Sequence, residues 1–147
     1  MKNILFILIF LLSLSGFSQE QILNGISFNG PNGFVKVGDL QWANGNESLL
    51  IQSFKGSYAN LKEMQNGAKS ICEKGTRGST FVDFLNLEIS GETYGFCLQK
   101  GQNTLELVQT LVYKDGYIYT VTVAAEPDNY ERSFEIMGYM ITRITLF

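Results

Sequence analysis

The chain has 147 residues, of which 45% are hydrophobic, so it is long enough to bury a core. Its 11 Lys and Arg and 14 Asp and Glu give a net charge of −3 with no basic stripe, which excludes nucleic acid as a partner. Histidine is absent, which excludes Ser-His-Asp and Cys-His hydrolases and ordinary zinc enzymes. We therefore expect no enzyme activity and no cofactor.

The first 18 residues have the pattern of a signal peptide. Lys2 supplies a positive charge, Ile4 to Leu12 are all apolar, and Gly16 and Ser18 are the small residues that a signal peptidase recognises. The apolar stretch is shorter than the about 20 residues that span a bilayer. The sequence predicts a signal peptide over residues 1–18 and a single domain over 19–147. The mature chain is then exported, periplasmic or secreted, without stable membrane insertion.

Asn-Gly pairs divide the first half of the mature chain into short segments, since this dipeptide favours tight turns. Ile26–Phe28 is predicted to form a short strand, which a turn at Pro31-Asn32-Gly33-Phe34 follows. The apolar runs Leu40–Trp42 and Leu49–Phe54 flank Asn44-Gly45-Asn46 and predict a hairpin.

The hydrophobic period then changes to three and four residues, which predicts an amphipathic helix from about Ala59 to Lys74, ended by Gly75. The Asn66-Gly67 pair in its middle destabilises this helix by roughly 1 kcal/mol. The apolar positions are Leu61, Met64, Ala68, Ile71 and Cys72.

Four strands joined by short turns follow this helix, and turns of this length predict antiparallel pairing. Leu105–Tyr113 carries apolar residues on both faces, so we expect it to be a central strand covered on both sides. The predicted strands are Phe81–Ile89, Tyr94–Leu98, Leu105–Tyr113 and Tyr117–Ala125.

A last helix is predicted after Pro127, with Asp128 or Asn129 as its cap. Residues 144–147 are expected to pack against the sheet as a tail. The order of elements predicts an α+β fold: a curved antiparallel β-sheet flanked by two or more helices. The helical positions that carry the apolar period are Tyr130, Phe134, Met137 and Ile141.

From Ile26 to Phe147 the chain resembles the PsbP-like superfamily, which includes the extrinsic photosystem II protein and the Ran-binding Mog family. The resemblance rests on Ile26–Phe28, the Pro31–Phe34 turn, the first helix and meander, the stretch Asp115–Val121, and the closing helix begun near Tyr130. It implies a curved antiparallel sheet between helices and a role as an adaptor or assembly factor. No functional residue of the family carries over to this chain.

Cys72 and Cys97 are the only cysteines. If the first helix packs on the sheet, the two can form a disulfide, which is typical of exported proteins and would close a loop of about 25 residues and stabilise the fold by roughly 3 kcal/mol. The alternative is two buried, unpaired thiols. No Cys-x-x-Cys pair indicates a redox catalyst.

The remaining candidates are carboxylates and aromatic residues. Asp83 and Glu88 lie five apart on a strand, so they face opposite sides and cannot act as a pair. Tyr113, Tyr117 and Tyr119 gather around one turn, where they either pack the sheet or contact a partner, and Trp42 and Phe54 are further candidates for surface aromatics. The acidic group Glu126, Asp128 and Glu131 is typical of a helix start, not of a metal site.

The sequence thus predicts a small exported, non-catalytic protein that binds a partner protein, as an accessory or assembly factor of the cell envelope. The partner would be an envelope or exported protein. The alternative is a binding protein for a small apolar or lipid-like ligand, which the aromatic content and a curved sheet both favour. The sequence indicates neither the oligomeric state nor the identity of a partner.

Overall fold

A computed structural model describes residues 21–56, 58–75, 78–101 and 105–147. The predicted signal peptide lies outside these residues. The strands are β1 (Gln21–Leu23), β2 (Ile26–Phe28), β3 (Val35–Gly38), β4 (Gln41–Asn44), β5 (Glu47–Lys55), β6 (Ser79–Ile89), β7 (Glu92–Gly101), β8 (Glu106–Lys114) and β9 (Tyr117–Ala125). The helices are α1 (Leu61–Glu73), between β5 and β6, and α2 (Tyr130–Leu146), after β9.

Seven strands form one antiparallel sheet in the order β3-β4-β5-β9-β8-β7-β6, and β1 and β2 form a separate two-stranded ribbon. The predicted hairpin β4–β5 and the predicted meander β6 to β9 are both confirmed. The strand β5 pairs along its length with β9, so that Ile51 lies opposite Val121. The strands β5 and β9 are therefore neighbours in the sheet, although α1, β6, β7 and β8 lie between them in the sequence.

The helix α2 covers one side of the sheet, over β8 and β9, and the β1–β2 ribbon packs beside it. Apolar residues recur every three or four positions along α2, so they share the face that packs against the sheet. The buried ones are Ile136, Met137, Met140, Ile141 and Ile144. These side chains and the facing strand residues form one continuous hydrophobic core. The α2 side of the sheet therefore holds the main hydrophobic core.

The helix α1 covers the other side, over β6, β7 and β8, and buries only Met64 and Cys72. It begins where the Asn60 side chain accepts the backbone N–H of Glu63 at 2.9 Å, and the Glu63 carboxylate accepts the N–H of Ala59 at 2.7 Å. The predicted helix is confirmed and continues through Asn66 and Gly67. Because β8 lies between α1 and α2, the prediction of a central strand covered on both sides is also confirmed.

The C-terminus differs from the prediction of a tail on the sheet. The helix α2 runs to Leu146, and Ile144 belongs to the core as part of that helix, while Leu146 and Phe147 are 77% and 59% exposed. Leu146 lies two positions after Ile144, about 200° further around the helix, and so faces away from the sheet, while Phe147 follows the end of the helix. At the other end Asn129 is the N-cap without a side-chain hydrogen bond, and Asp128 adopts a positive φ of 60°.

No described helix is long and apolar enough to cross a membrane.

Candidate binding groove

A groove of about 330 Å³ lies between α1 and the face of the sheet that α1 covers only in part. We call it the α1 groove. Residues of α1 form one wall, β7 and β8 form the floor, and β9 and β5 form the far wall. Strand alternation explains the floor: Tyr94, Phe96 and Leu98 of β7 point into the core, whereas Gly95 and Cys97 face the groove.

A disulfide between Cys72 and Cys97 joins α1 to β7, with the two Cα atoms 5.7 Å apart. The predicted bond is therefore formed in the structure, and the alternative of two unpaired thiols is not. Both cysteines are nearly inaccessible, at 4% and 6% exposure. The bond fixes the C-terminal half of α1 against the sheet at the edge of the groove, so it sets the position of the groove wall.

The lining of the α1 groove contains no charged side chain among the described residues. Its apolar part includes Met64, Leu111 and Ile118. Its polar part is made of neutral amides and hydroxyls, which are Gln52, Gln65, Gln99, Gln109, Tyr58, Thr110 and Thr120. Such a wall suits an uncharged ligand, because a buried charge without a counter-charge is strongly unfavourable.

Several of the amides in the lining are held by neighbouring groups. Gln109 donates from Nε2 to the Thr122 hydroxyl at 3.0 Å, and Gln99 donates to Cys97 Sγ at 3.2 Å. Gln65 on α1 differs, since its Nε2 is buried and has no hydrogen-bond partner among the described residues. An unpaired buried donor costs about 1–3 kcal/mol, so an acceptor supplied to Gln65 would stabilise this wall.

Two large apolar side chains stand at the rim of the groove. Phe54 on β5 is 52% exposed and Ile71 on α1 is 62% exposed, and both belong to the groove lining. Single exposed apolar residues are common on proteins, but these two stand on opposite walls of one groove. The sequence had indicated Phe54 as a candidate surface aromatic.

Two other predicted interaction aromatics are buried instead. Trp42 is 1% exposed and packs against Phe28 with ring centroids 6.0 Å apart, and Tyr119 is 0% exposed. The interpretation of Trp42 as a surface aromatic is wrong, and of the two alternatives for Tyr119 the structure shows packing in the sheet. Both residues face the α2 side, where the sheet alternation directs them into the core.

Tyr113 and Tyr117 are partly exposed near the β8–β9 turn. Tyr117 packs against the core, while Tyr113 lies beside Gly56 and Ile118 at the end of the groove. Whether either contacts a partner stays a prediction.

The carboxylates considered in the sequence analysis make local hydrogen bonds. Asp83 accepts the backbone N–H of Phe84 at 2.7 Å, and Glu126 accepts the Asn46 amide at 2.8 Å. Among the described residues no group of three or more Asp, Glu, Cys or His side chains is arranged to hold a metal ion.

The shifted titratable groups lie away from the α1 groove. Burial raises the pKa of the Tyr130 hydroxyl well above its usual value, and a hydrogen bond and the negative charge of Glu106 raise it further. Burial also raises the pKa of Tyr94 and Tyr119. These phenols are therefore weaker acids than free tyrosine, and none of the three lines the groove.

The polar part of the groove was missed by sequence reasoning. Gln52, Gln109 and Thr120 alternate with core residues along β5, β8 and β9, and this pattern is typical of strands that face solvent. Only the position of α1, which covers part of that face, turns these residues into groove walls. The helical period located α1, but it did not indicate which strands α1 leaves open.

The fold resembles solved structures at low sequence identity. Cyanobacterial PsbP (CyanoP) from Synechocystis sp. PCC 6803 aligns with a TM-score of 0.54 and 13% identity, covering 88% of this chain and 92% of that one. A protein of unknown function from Pseudomonas aeruginosa aligns with a TM-score of 0.49 and 14% identity, covering 84% and 94%. No family model and no curated protein matches the sequence. The chain therefore has a PsbP-like α+β fold, as its sequence predicts, and at this identity the likeness concerns the fold alone.

Proposed function

We propose that this chain is an exported, non-catalytic accessory protein that holds an apolar part of a partner protein in the α1 groove. The observation that carries this proposal is the uncharged groove with exposed Phe54 and Ile71 on its opposite walls. A protein partner would cover both rim side chains, and a buried aromatic or aliphatic anchor in such a groove provides much of the binding energy of an interface.

The lack of carboxylates and amines in the described lining of the groove supports a role without catalysis. General acid–base chemistry requires a titratable side chain within hydrogen-bond reach of the substrate. The described lining offers amides, hydroxyls and a closed disulfide, and no carboxylate or amine.

A second candidate function is the binding of a small apolar or lipid-like molecule in the same groove. The volume of about 330 Å³ favours it, because it falls within the range of small-molecule sites. A small ligand would leave the rim residues Phe54 and Ile71 in contact with water, so we rank it second. Native mass spectrometry of the protein purified from its own host would detect such a ligand as a constant added mass.

Export is supported by the signal-peptide pattern of residues 1–18 and by the disulfide, since disulfides persist in oxidising compartments. The envelope is then the compartment in which the partner would be found. N-terminal sequencing of the protein from its host should give a first residue at Gln19. A chain that retains Met1 to Ser18 would contradict export by this route.

The partner is tested by the native size of the endogenous protein in an envelope extract. We expect a complex larger than the monomer, which the double variant Phe54→Lys and Ile71→Lys abolishes by placing two charges at the rim. The matched control is Val35→Lys with Val37→Lys on β3, which changes two valines of 64% and 57% exposure outside the groove. A bare monomer in the wild type, or equal loss in both variants, would overturn the proposal.

A further inference from the structure

The strand β6 forms one edge of the seven-stranded sheet and has no strand on its outer side among the described residues. It is 11 residues long and carries no proline, lysine or arginine. The opposite edge, β3, has four residues, a register shift and Lys36. Short length, irregular pairing and charged side chains, lysine above all, are the usual protections of an edge strand. In β6 the pairing is irregular only at Val82, and the charged residues are Asp83 and Glu88.

The free backbone groups of β6 follow from its hairpin with β7. Ser90 and Gly91 both have positive φ, so they form a two-residue turn, and Ile89 and Glu92 are its hydrogen-bonded closing pair. Because hydrogen-bonded and non-hydrogen-bonded pairs alternate, the N–H and C=O groups of Phe84, Asn86 and Glu88 point away from β7. The register is regular from Asp83 to Ile89. The Phe84 N–H already donates to the Asp83 carboxylate at 2.7 Å, so the outward donors left for a further strand are the N–H groups of Asn86 and Glu88.

Beside this edge a depression of about 550 Å³ separates β6 from α1. Phe84 and Asn86 belong to both the edge and the lining, so the two features are continuous. The charged side chains of the lining are Lys62, Lys69 and Glu92, which leaves a positive excess. Lys62 and Lys69 lie seven residues apart on α1 and therefore on one face of the helix.

We propose that β6 is a strand-addition site for an extended segment of a partner protein, with an acidic side chain of that segment in the depression beside α1. A strand paired with β6 would direct the side chain opposite Asn86 to the same side as Asn86, toward Lys62 and Lys69. Main-chain hydrogen bonds then supply affinity, and the charged depression supplies specificity. The depression adjoins the α1 groove, with which it shares Gln65 and Phe84, but strand addition at β6 does not depend on the function proposed for that groove.

The probes are capped peptides of about seven residues, the length of the regular edge, that alternate threonine and valine and carry Glu, Gln or Lys at the centre. We expect saturable binding in the order Glu, Gln, Lys, measured by NMR titration. Hydrogen exchange should slow at the amides of Asn86 and Glu88. Peptide-induced shifts confined to the residues around Phe54 and Leu111, or no binding of any peptide, would overturn the proposal.

Two sets of variants separate the backbone and charge contributions. Asn86→Pro removes an outward N–H, which is tolerated on an edge strand, and should abolish binding of all three peptides. Lys62→Gln with Lys69→Gln should weaken the Glu peptide by about fivefold and leave the Gln peptide unchanged. Lys55→Gln with Lys74→Gln is the charge-matched control outside the depression and should change neither.

The charge variants keep the test valid even if the proline variant fails to fold. An unchanged preference for the Glu peptide in the Lys62 and Lys69 variant would overturn the role of the depression. Concentration-dependent dimerisation of the wild type that Asn86→Pro removes would show that a second copy of this chain occupies the edge, and this too would overturn the proposal.

Discussion

The two helices cover opposite sides of one sheet but are held there by different means. The helix α2 buries six residues, whereas α1, only four residues shorter, buries two and is joined to β7 by a disulfide. On the α2 side apolar burial dominates the contact, with a few polar contacts such as the Arg132–Glu47 ion pair at 3.0 Å at its margin. On the α1 side a covalent bond replaces most of that burial and leaves strand surface open for the α1 groove. A protein can thus keep a binding surface beside a helix by reducing the area over which the helix packs.

The largest expected loss of stability comes from truncating a core side chain on the α2 side of the sheet. Met137 is 0% exposed in the middle of the core, so Met137→Ala should lower the free energy of unfolding by about 2–5 kcal/mol through lost burial and a cavity. Chemical denaturation measures this. The matched substitution on the other side, Met64→Ala, removes a side chain that is 1% exposed but lines the α1 groove, so the space it leaves joins the groove and does not form a closed cavity. We therefore expect a smaller loss there, and an equally large one would contradict the contrast between the two sides.

Removal of the disulfide should destabilise mainly the packing of α1 on the sheet. The double variant Cys72→Ala and Cys97→Ala opens a loop with a sequence separation of 25, which costs roughly 3 kcal/mol in the chain-entropy description. Hydrogen exchange should then show the amides of α1 exchanging by local opening while those of α2 stay protected. Equal protection of both helices in this variant would mean that packing alone holds α1.

Two glycines offer a smaller, matched test. A Cβ added at Gly67 in α1 or at Gly138 in α2 would meet no atom within 4 Å. Replacing either glycine with alanine should therefore stabilise its helix by up to about 1 kcal/mol. For Gly67→Ala the gain should appear as slower local exchange of α1, and for Gly138→Ala as a higher free energy of global unfolding. If Gly67→Ala raised the free energy of global unfolding and Gly138→Ala only slowed local exchange, α1 would not open independently.

The smallest effect at neutral pH concerns Tyr130 on the α2 side. Its pKa is raised in the folded chain, so the folded state retains the phenol proton more tightly than the unfolded state does. Stability from this difference is fully present below about pH 10 and is lost as the pH rises toward the folded value. Tyr130→Phe should reduce the fall in stability above about pH 10 relative to the wild type. If the stability of Tyr130→Phe fell as steeply at alkaline pH as that of the wild type, other groups would be responsible for the fall.

The elements of this fold could be predicted because each has a strong local pattern. The β-branched run of Tyr117–Ala125 and the helical period of α1 both appeared at nearly the predicted positions. The end of α2 was not predicted, because Ile144 to Leu146 is a short apolar run that suits a helix or a strand equally well. Tertiary packing, which places Ile144 on the core, decides between them.

The candidate site was less predictable than the fold. The sequence placed Cys72 on the apolar face of a helix and Cys97 in a strand, which was enough to anticipate their bond. It did not distinguish buried Trp42 from exposed Phe54, because both are aromatic residues in neighbouring strands, and only the side that each faces separates them. The groove depends on how far α1 extends over the sheet, which is a property of packing and leaves no local pattern in the sequence.

The insertion of α1 to β8 between β5 and β9 has a consequence for the order of folding. Pairing Ile51 with Val121 closes a long loop, and contacts at such sequence separation form slowly. The Cys72–Cys97 bond lies entirely within the inserted segment, so its formation does not require β5 and β9 to have met. The disulfide can therefore form first and the sheet be completed afterwards, with α1 already attached to β7 when β9 pairs with β5.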